Sequence, residues 1–275
     1  MHKLYDKIYK PTFKLGESEV ANGIHPHYDF VNKKIKDKHP HLKIGEGIFG
    51  LSEKEKNEMQ FSEEELKLIK PYFTSEQITK NYANPVNKLW IIYTDSTFKN
   101  PKNIEFYPNI KQHLDKYSDV ITSDNKPYGL HRARKEDFFI GEKIITLRKC
   151  PNEPQFTYTD FNCYVSATFY VIKTSRVNQK YLTAYLNSKI VNFWLKSRGK
   201  MQGSNYQLDK EPLINIPILF SEYGDKIIQL FDDIKSLQTD KTEIKSKTDE
   251  IDLLLYKTFD LTGDEINTIE NHLAK

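Results

Sequence analysis

Two cysteines in 275 residues, Cys150 and Cys163, are too few for a disulfide framework, and 17 Tyr with 16 Phe supply core bulk without one. Both are expected to be plain thiols, buried or at a strand edge. Long apolar runs are missing as well. None reaches the roughly 18 to 20 residues that span a bilayer, which excludes a membrane-spanning helix. The opening Met1-His2-Lys3-Leu4-Tyr5-Asp6 has no apolar stretch of a secretory signal, so a soluble, cytoplasmic chain with no membrane partner is expected. There is no internal repeat and no low-complexity tract. With 38% hydrophobic residues the chain can fill one large core or two modest ones.

What is present is an uneven charge. The net +3 (41 basic, 38 acidic) averages two unlike pieces. Residues 222–275 carry 13 acidic and 7 basic residues, net −6, which leaves residues 1–221 with 34 basic and 25 acidic, net +9. Phe161 to Leu208 holds seven basic residues (Lys173, Arg176, Lys180, Lys189, Lys196, Arg198, Lys200) and no Asp or Glu. A basic body of this kind attracts a polyanion by releasing condensed counterions. The competing reading is a solvated charged face.

Residues 1–50 are punctuated by glycine and proline, with Val20 to Ile24 and Ile44 to Leu51 as short strand candidates. Ser62-Glu63-Glu64-Glu65 predicts a capping box and a helix through about Lys70, stopped by Pro71. Lys88 to Thr94 reads as a buried strand, and Pro108 opens a helix through about Tyr117. Lys143 to Arg148, Phe156 to Thr159 and Tyr164 to Ile172 have strand composition. Asn178 to Ser197 has helical apolar spacing, followed by a polar loop, Arg198 to Tyr206. From Leu230 to Leu255, apolar positions recur at a 3.5-residue period interrupted by Lys241 and Thr248, the seam of a long helix packed on another. The expected fold is α+β: a mixed, β-rich body, residues 1–221, with peripheral helices, and an acidic tail, residues 222–275, forming a long helix or helical hairpin.

Several ordered segments then carry a resemblance. Glu65-Leu66-Lys67-Leu68-Ile69-Lys70-Pro71-Tyr72-Phe73, Leu89-Trp90-Ile91-Ile92-Tyr93, Tyr107-Pro108-Asn109-Ile110, Lys143-Ile144-Ile145, Tyr181 to Lys189, and Ile214-Asn215-Ile216-Pro217 occur in one order, and Ile251 to Glu265 supplies the ending. Together they resemble the TaqI-like C-terminal specificity domain of adenine-specific DNA methyltransferases and of fused type IIG restriction-modification enzymes. Cys163-Tyr164-Val165-Ser166-Ala167-Thr168 departs from the family pattern and leaves strand register open there. The resemblance implies a target-recognition domain that binds double-stranded DNA sequence-specifically. It would serve an adenine-N6 methyltransferase domain or subunit, which would bind S-adenosylmethionine. The acidic tail would be a spacer, a docking element or a homodimer contact.

Chemistry within the chain itself is not expected. Asn84-Pro85-Val86-Asn87 lacks the second proline and the stacking aromatic of an amino-methylation motif and reads as a turn. Gly45-Glu46-Gly47-Ile48-Phe49-Gly50 matches a dinucleotide pattern by letter, but the flanking residues suit a hairpin. Asp232-Asp233-Ile234-Lys235 has nuclease-like spacing inside a helical stretch, where such pairs are ordinary. His25-Pro26-His27 and His39-Pro40-His41 offer four imidazoles for zinc, against a reading as two exposed loops. No catalytic residue, no cofactor and no metal is assigned to this chain.

DNA reading needs cations on phosphates and Arg, Asn or Gln forks on base edges. The first candidate loop carries Lys126, Tyr128, His131, Arg132, Arg134 and Lys135, where Arg132 and Arg134 suit guanine and the lysines phosphate; the competing reading pairs the arginines with Glu136 and Asp137. The second spans Lys196, Arg198, Lys200, Gln202, Asn205 and Gln207, with the amides suited to adenine; the competing reading is a polar helix exit. Arg148 and Lys149 are candidate phosphate contacts at a strand end. The alternative function is an independent nucleic-acid-binding protein without an enzyme partner.

Overall fold

The strand Lys143–Leu147 is buried on both faces, and this decides the architecture. Ile144 and Ile145 are both fully buried, yet they belong to different hydrophobic clusters. A strand that alternates between two dry sides must be the wall between two cores. The structure, a computed structural model, describes residues 2–9, 13–198, 200–202, 205–237 and 240–274.

The wall is a five-stranded sheet in the order Val20–Asn22, Phe169–Ile172, Lys143–Leu147, Phe156–Thr159, Asn81–Tyr82, antiparallel except for the last pair. A four-stranded sheet, Gly50–Ser52, Leu89–Ile92, Ile69–Phe73, Tyr164–Val165, faces it across the core containing Ile145, Phe169 and Val171. On the other face, Ile144, Tyr158, Tyr170 and Ile172 pack with the helices Gln179–Leu186, Lys189–Arg198 and Gly224–Leu237. A small sheet, Lys200–Gln202, Asn205–Gln207, Lys149–Pro151, lies at one end. The fold is α+β.

Several local expectations change in three dimensions. The capping box at Ser62 forms, but its helix is only Glu63–Leu66, and Ile69–Phe73 is a strand paired with Leu89–Ile92 despite Pro71. Sheet pairing and burial of Ile69 and Tyr72 override the helical start. Where a loop was expected from Arg198 to Tyr206, Arg198 ends a helix and Lys200–Gln202 pairs antiparallel with Asn205–Gln207; residues 199, 203 and 204 lie outside the described part. The helical stretch after Asn178 breaks at Asn187 and Ser188 because the Asn187 side chain turns to the sheet.

Tyr164 to Ile172, read as one strand, is split between the two sheets. The chain crosses at Ser166, Ala167 and Thr168, the stretch that departs from the family pattern. Gly23 permits the crossing. Its N–H donates to the Phe169 carbonyl at 3.0 Å, and a Cβ there would stand 2.1 Å from the Ser166 carbonyl oxygen.

In the tail, the apolar seam does not run through one helix. Gly224–Leu237 and Lys241–Thr258 form an antiparallel pair, with Lys247 bridging Asp233 at 3.2 Å, and Asp240 caps the second helix by accepting from Thr242 and Glu243 N–H. A third helix, Gly263–Leu273, packs on Lys189–Arg198. All three contribute to the helical core, through Phe231, Leu255 and Ile269 among others.

Candidate nucleic-acid interface

The sheet crossing forms the floor of a two-lobed cleft. Asp29, Arg148, Ser166, Ala167 and Thr168 line both lobes. The larger lobe, about 590 Å³, adds Phe73, Thr74, Ser75, Leu89, Lys149 and Gln207 among its walls. The smaller, about 520 Å³, adds Asn22, His25, His27 and Arg134. Apolar surface from the sheet edges thus carries a rim of cations, hydroxyls and amides, a combination suited to a ligand that is both flat and polyanionic.

Arg148 stands at the junction. Its N–H donates to the Thr168 carbonyl at 2.9 Å and its carbonyl accepts from Leu208 N–H at 2.9 Å, so the backbone is tied to both the crossing and the small sheet. The guanidinium lies 5.2 Å over the Tyr170 ring and donates to the Ala167 carbonyl at 3.3 Å. Its Nε, like Asn22 Oδ1 and His131 Nδ1, is buried without a hydrogen-bond partner among the described residues.

Arg134 is held at φ 70° with its Nε 3.2 Å from the Gly23 carbonyl. Burial, then the neighbouring Arg132 and Arg148, hold its pKa below the ordinary value. Burial also lowers His25, helped by His131, His27 and both loop arginines. The His25 ring packs edge-on against His131 at 4.9 Å, and His25 and Arg132 exchange backbone hydrogen bonds of 3.0 and 2.8 Å. Arg132, Arg134 and Arg148 repel one another on this partly desolvated surface, and a bound anion offsets that repulsion.

The structure therefore brings Arg134, Arg148, Lys149 and Gln207 to one cleft, from three separate segments. Of the other candidate residues, Lys126, Arg132, Lys135 and Asn205 are exposed and His131 is half-buried. Arg132 pairs with Asp124 at 3.5 Å, not with the acids expected to compete for it; Glu136 pairs with Lys70 and Asp137 with Lys173. Gln207 donates to Asp209 at 3.0 Å.

Other expectations are corrected. Tyr128 is buried, and its hydroxyl donates to Asp115 at 2.7 Å, so it supports the loop from beneath. Lys196 reaches the Leu273 carbonyl at 3.4 Å, and Arg198 lies over the rings of Tyr9 and Trp194, so both are engaged at the helical end instead of the cleft. The side chains of Lys200 and Gln202 lie outside the described part, although their strand pairs with Asn205–Gln207.

The acid-free basic segment is also less free than its composition implies. Lys173 pairs with Asp137, Arg176 with Glu19, Lys180 with Asp232, and Lys189 with Asp249 and Glu270. Half of that neutralisation comes from the acidic tail.

The remaining motifs behave structurally. Gly45 takes φ +87° in a turn, and the following strand Gly50–Ser52 has none of the order of a dinucleotide-binding unit. Asn84 accepts from Val86 N–H within its turn. Asp232 and Asp233 are committed to Lys180 and Lys247. No group of three or more His, Cys, Asp or Glu among the described residues is arranged to hold a metal ion. Cys150 and Cys163 are buried free thiols, and burial pushes the Cys163 thiol up to about 12. No helix among the described residues is long and apolar enough to cross a membrane.

Sequence reasoning missed Asp29, Tyr72, Thr74, Ser75, Ser166 and Thr168, ordinary residue types brought together only by the sheets. The Tyr72 hydroxyl donates to Asp29 Oδ1 at 3.2 Å, while burial pushes the Asp29 carboxyl up to about 6 against that hydrogen bond.

Comparison with known proteins places these features in context. The family described as the TaqI-like C-terminal specificity domain matches residues 25–218. Type II methyltransferase M.HincII of Haemophilus influenzae is 28% identical over 133 residues, covering 42% of this chain and 26% of its own length. Type II methyltransferase M.HindII of Haemophilus influenzae strain KW20 / Rd is likewise 28% identical over 133 residues, covering 42% of this chain and 25% of its own. The matched region is thus about a quarter of the curated relatives. The type IIL restriction-modification enzyme MmeI, solved in complex with DNA, superposes with a TM-score of 0.65 at 14% identity, over 96% of this chain and 36% of that one.

Proposed function

This chain belongs to the TaqI-like C-terminal specificity domain family, and from that premise we propose that it reads double-stranded DNA for a restriction-modification adenine methyltransferase. The observation that carries this reading is the convergence of Arg134, Arg148, Lys149 and Gln207 on one cleft floored by the sheet crossing. Lysine and the exposed arginines suit phosphate; Arg134 and Gln207 suit guanine and adenine edges in the major groove. Lys126, Arg132, Lys135 and Asn205 extend the basic rim along the duplex.

The chain is a reader and not a catalyst. S-adenosylmethionine and methyl transfer belong to a methyltransferase domain or subunit, which the tail helices of residues 222–275 would dock. A tail-mediated homodimer is the other arrangement consistent with an acidic helical face. The cytoplasm is the compartment in which such a system meets its DNA.

The test is fluorescence anisotropy with a pool of random duplexes, followed by enrichment sequencing and a salt titration. A recovered consensus with tighter binding than bulk duplex supports target reading. Steep salt dependence with no consensus favours a non-specific nucleic-acid binder instead. Methyl incorporation from a labelled donor by this chain alone would overturn its non-catalytic role, whereas incorporation only with a methyltransferase partner supports it.

A further inference from the structure

Among the described residues, Asp29 is the one carboxylate lining the two lobes of a cleft whose rim carries Arg134, Arg148 and Lys149. Its backbone is fixed, because its carbonyl accepts from Ile48 N–H at 2.9 Å and from Gly50 N–H at 3.0 Å. Its side chain is fixed as well, through Tyr72, whose ring is almost fully buried and whose hydroxyl donates to Oδ1 at 3.2 Å. Oδ2 has no hydrogen-bond partner among the described residues, and no Lys or Arg there forms an ion pair with this carboxylate. An oriented acceptor with no partner from the protein is left available to a donor that a ligand supplies.

Duplex DNA limits what that donor is. Phosphates and sugar oxygens of DNA offer none, so a carboxylate repels the backbone. On the major-groove edge, the adenine N6 amine is flanked by two acceptors, its own N7 and the paired thymine O4, whereas the cytosine N4 amine has one, the paired guanine O6, and a C–H on its other side. We propose that Asp29, oriented by Tyr72, is a specificity-determining residue that accepts a hydrogen bond from a cytosine N4 amine in the recognised sequence. Tyr72 acts as a positioning residue. Arg148 and Lys149, in the same lobe, hold the flanking phosphates that would otherwise be driven off by the carboxylate. Burial raises the Asp29 carboxyl only to about 6, so it is ionised, and an acceptor, at neutral pH.

This inference rests on the reading of the chain as a duplex reader, and one experiment separates the two. The full chain and its Asp29→Asn and Tyr72→Phe variants are each enriched against the same random duplex pool, with thermal melts run alongside. If the unsubstituted chain yields no consensus, the functional reading itself falls. If it does, Asp29→Asn is expected to reduce preference for cytosine at one position on the order of tenfold. Other positions keep their preference, and affinity for non-target duplex at low salt is unchanged or higher, because a negative charge has left the cleft. Tyr72→Phe is expected to weaken preference at that same position by a smaller factor. A consensus retained in full by Asp29→Asn, or lost evenly at every position in a protein with an unchanged melt, overturns the assignment.

Discussion

Asn187 binds Phe156 as a neighbouring strand would. Its amide oxygen accepts from Phe156 N–H at 2.9 Å, its amide nitrogen donates to the Phe156 carbonyl at 2.7 Å, and the same nitrogen reaches Asn81 Oδ1 at 3.0 Å. One side chain thereby stops a helix, closes backbone groups in the five-stranded sheet and ties the parallel edge strand Asn81–Tyr82 to both.

Replacing that amide leaves buried backbone groups of Phe156 unpaired. Asn187→Ala is expected to lose roughly 2–6 kcal/mol of stability, at about 1–3 kcal/mol for each of the two orphaned groups. A urea melt measures it; a midpoint within error of the unsubstituted chain would show that water replaces the amide at no cost.

Gly23→Ala tests the crossing. The added methyl group meets the Ser166 carbonyl oxygen at 2.1 Å and the Val165 carbonyl oxygen at 2.6 Å, both backbone atoms. Relief requires the edge strand Val20–Asn22 or the crossing to move, so a loss on the order of 3 kcal/mol is expected, with weakened DNA binding in whatever fraction stays folded. Thermal melts and anisotropy on the same sample read the two effects.

Asp252 gives stability a pH dependence of unusual sign for an acid. It is almost fully buried in the tail core and accepts from Lys189 N–H at 2.9 Å, with Lys189 Nζ 4.0 Å away. Burial pushes its carboxyl up to about 7, against the hydrogen bond and charge of Lys189. The folded state therefore holds its proton more tightly than the unfolded chain. Its contribution is fully favourable below the ordinary value of 3.8 and is lost as pH rises through about 7. Asp252→Asn keeps the acceptor for Lys189 N–H, so at pH 8 it is expected to stabilise by roughly 1–3 kcal/mol, a gain that vanishes near pH 4. Urea midpoints at both pH values provide the measurement; a loss at pH 8 would mean that the ion pair outweighs desolvation.

Lys149 and Arg134 separate grip from fold. Lys149 is exposed and forms no ion pair among the described residues, and Arg134 gives up one hydrogen bond to the Gly23 carbonyl. Lys149→Ala is expected to leave the melt unchanged while lowering the slope of log K against log salt by about one. Arg134→Ala is expected to relax sequence preference as well as affinity, by about 1–3 kcal/mol at one base position. Salt titrations on target and non-target duplexes distinguish the two.

Local composition was enough to place Leu89–Ile92, Lys143–Leu147 and Phe156–Thr159, with Pro108 marking the start of the Pro108–Asp115 helix, because the deciding residues are adjacent in the sequence. It failed where a distant partner decides. Tyr164 to Ile172 has strand composition at both ends, and the room for its division between sheets depends on Gly23, more than a hundred residues earlier. Composition identified a basic segment but could not show that tail acids neutralise Lys180 and Lys189. In the cleft, Arg134, Arg148, Lys149 and Gln207 were readable by residue type. Asp29 and Tyr72 were not: a lone aspartate in a loop has no local signature, and Tyr72 had weight only through the stretch that carries the family resemblance.

The passage of one continuous strand-turn-strand between the sheets bears on how a different rim can be grafted. Ser166 to Thr168 is at once the bed of the groove and the seam joining its two walls, so a transplanted rim arrives on a platform that the donor did not shape. Swaps confined to outward-facing side chains of the rim leave this seam untouched. Exchanging the segment itself obliges the recipient to supply a matching Gly23 and both flanking strands, making the whole wall, not the groove, the smallest portable part.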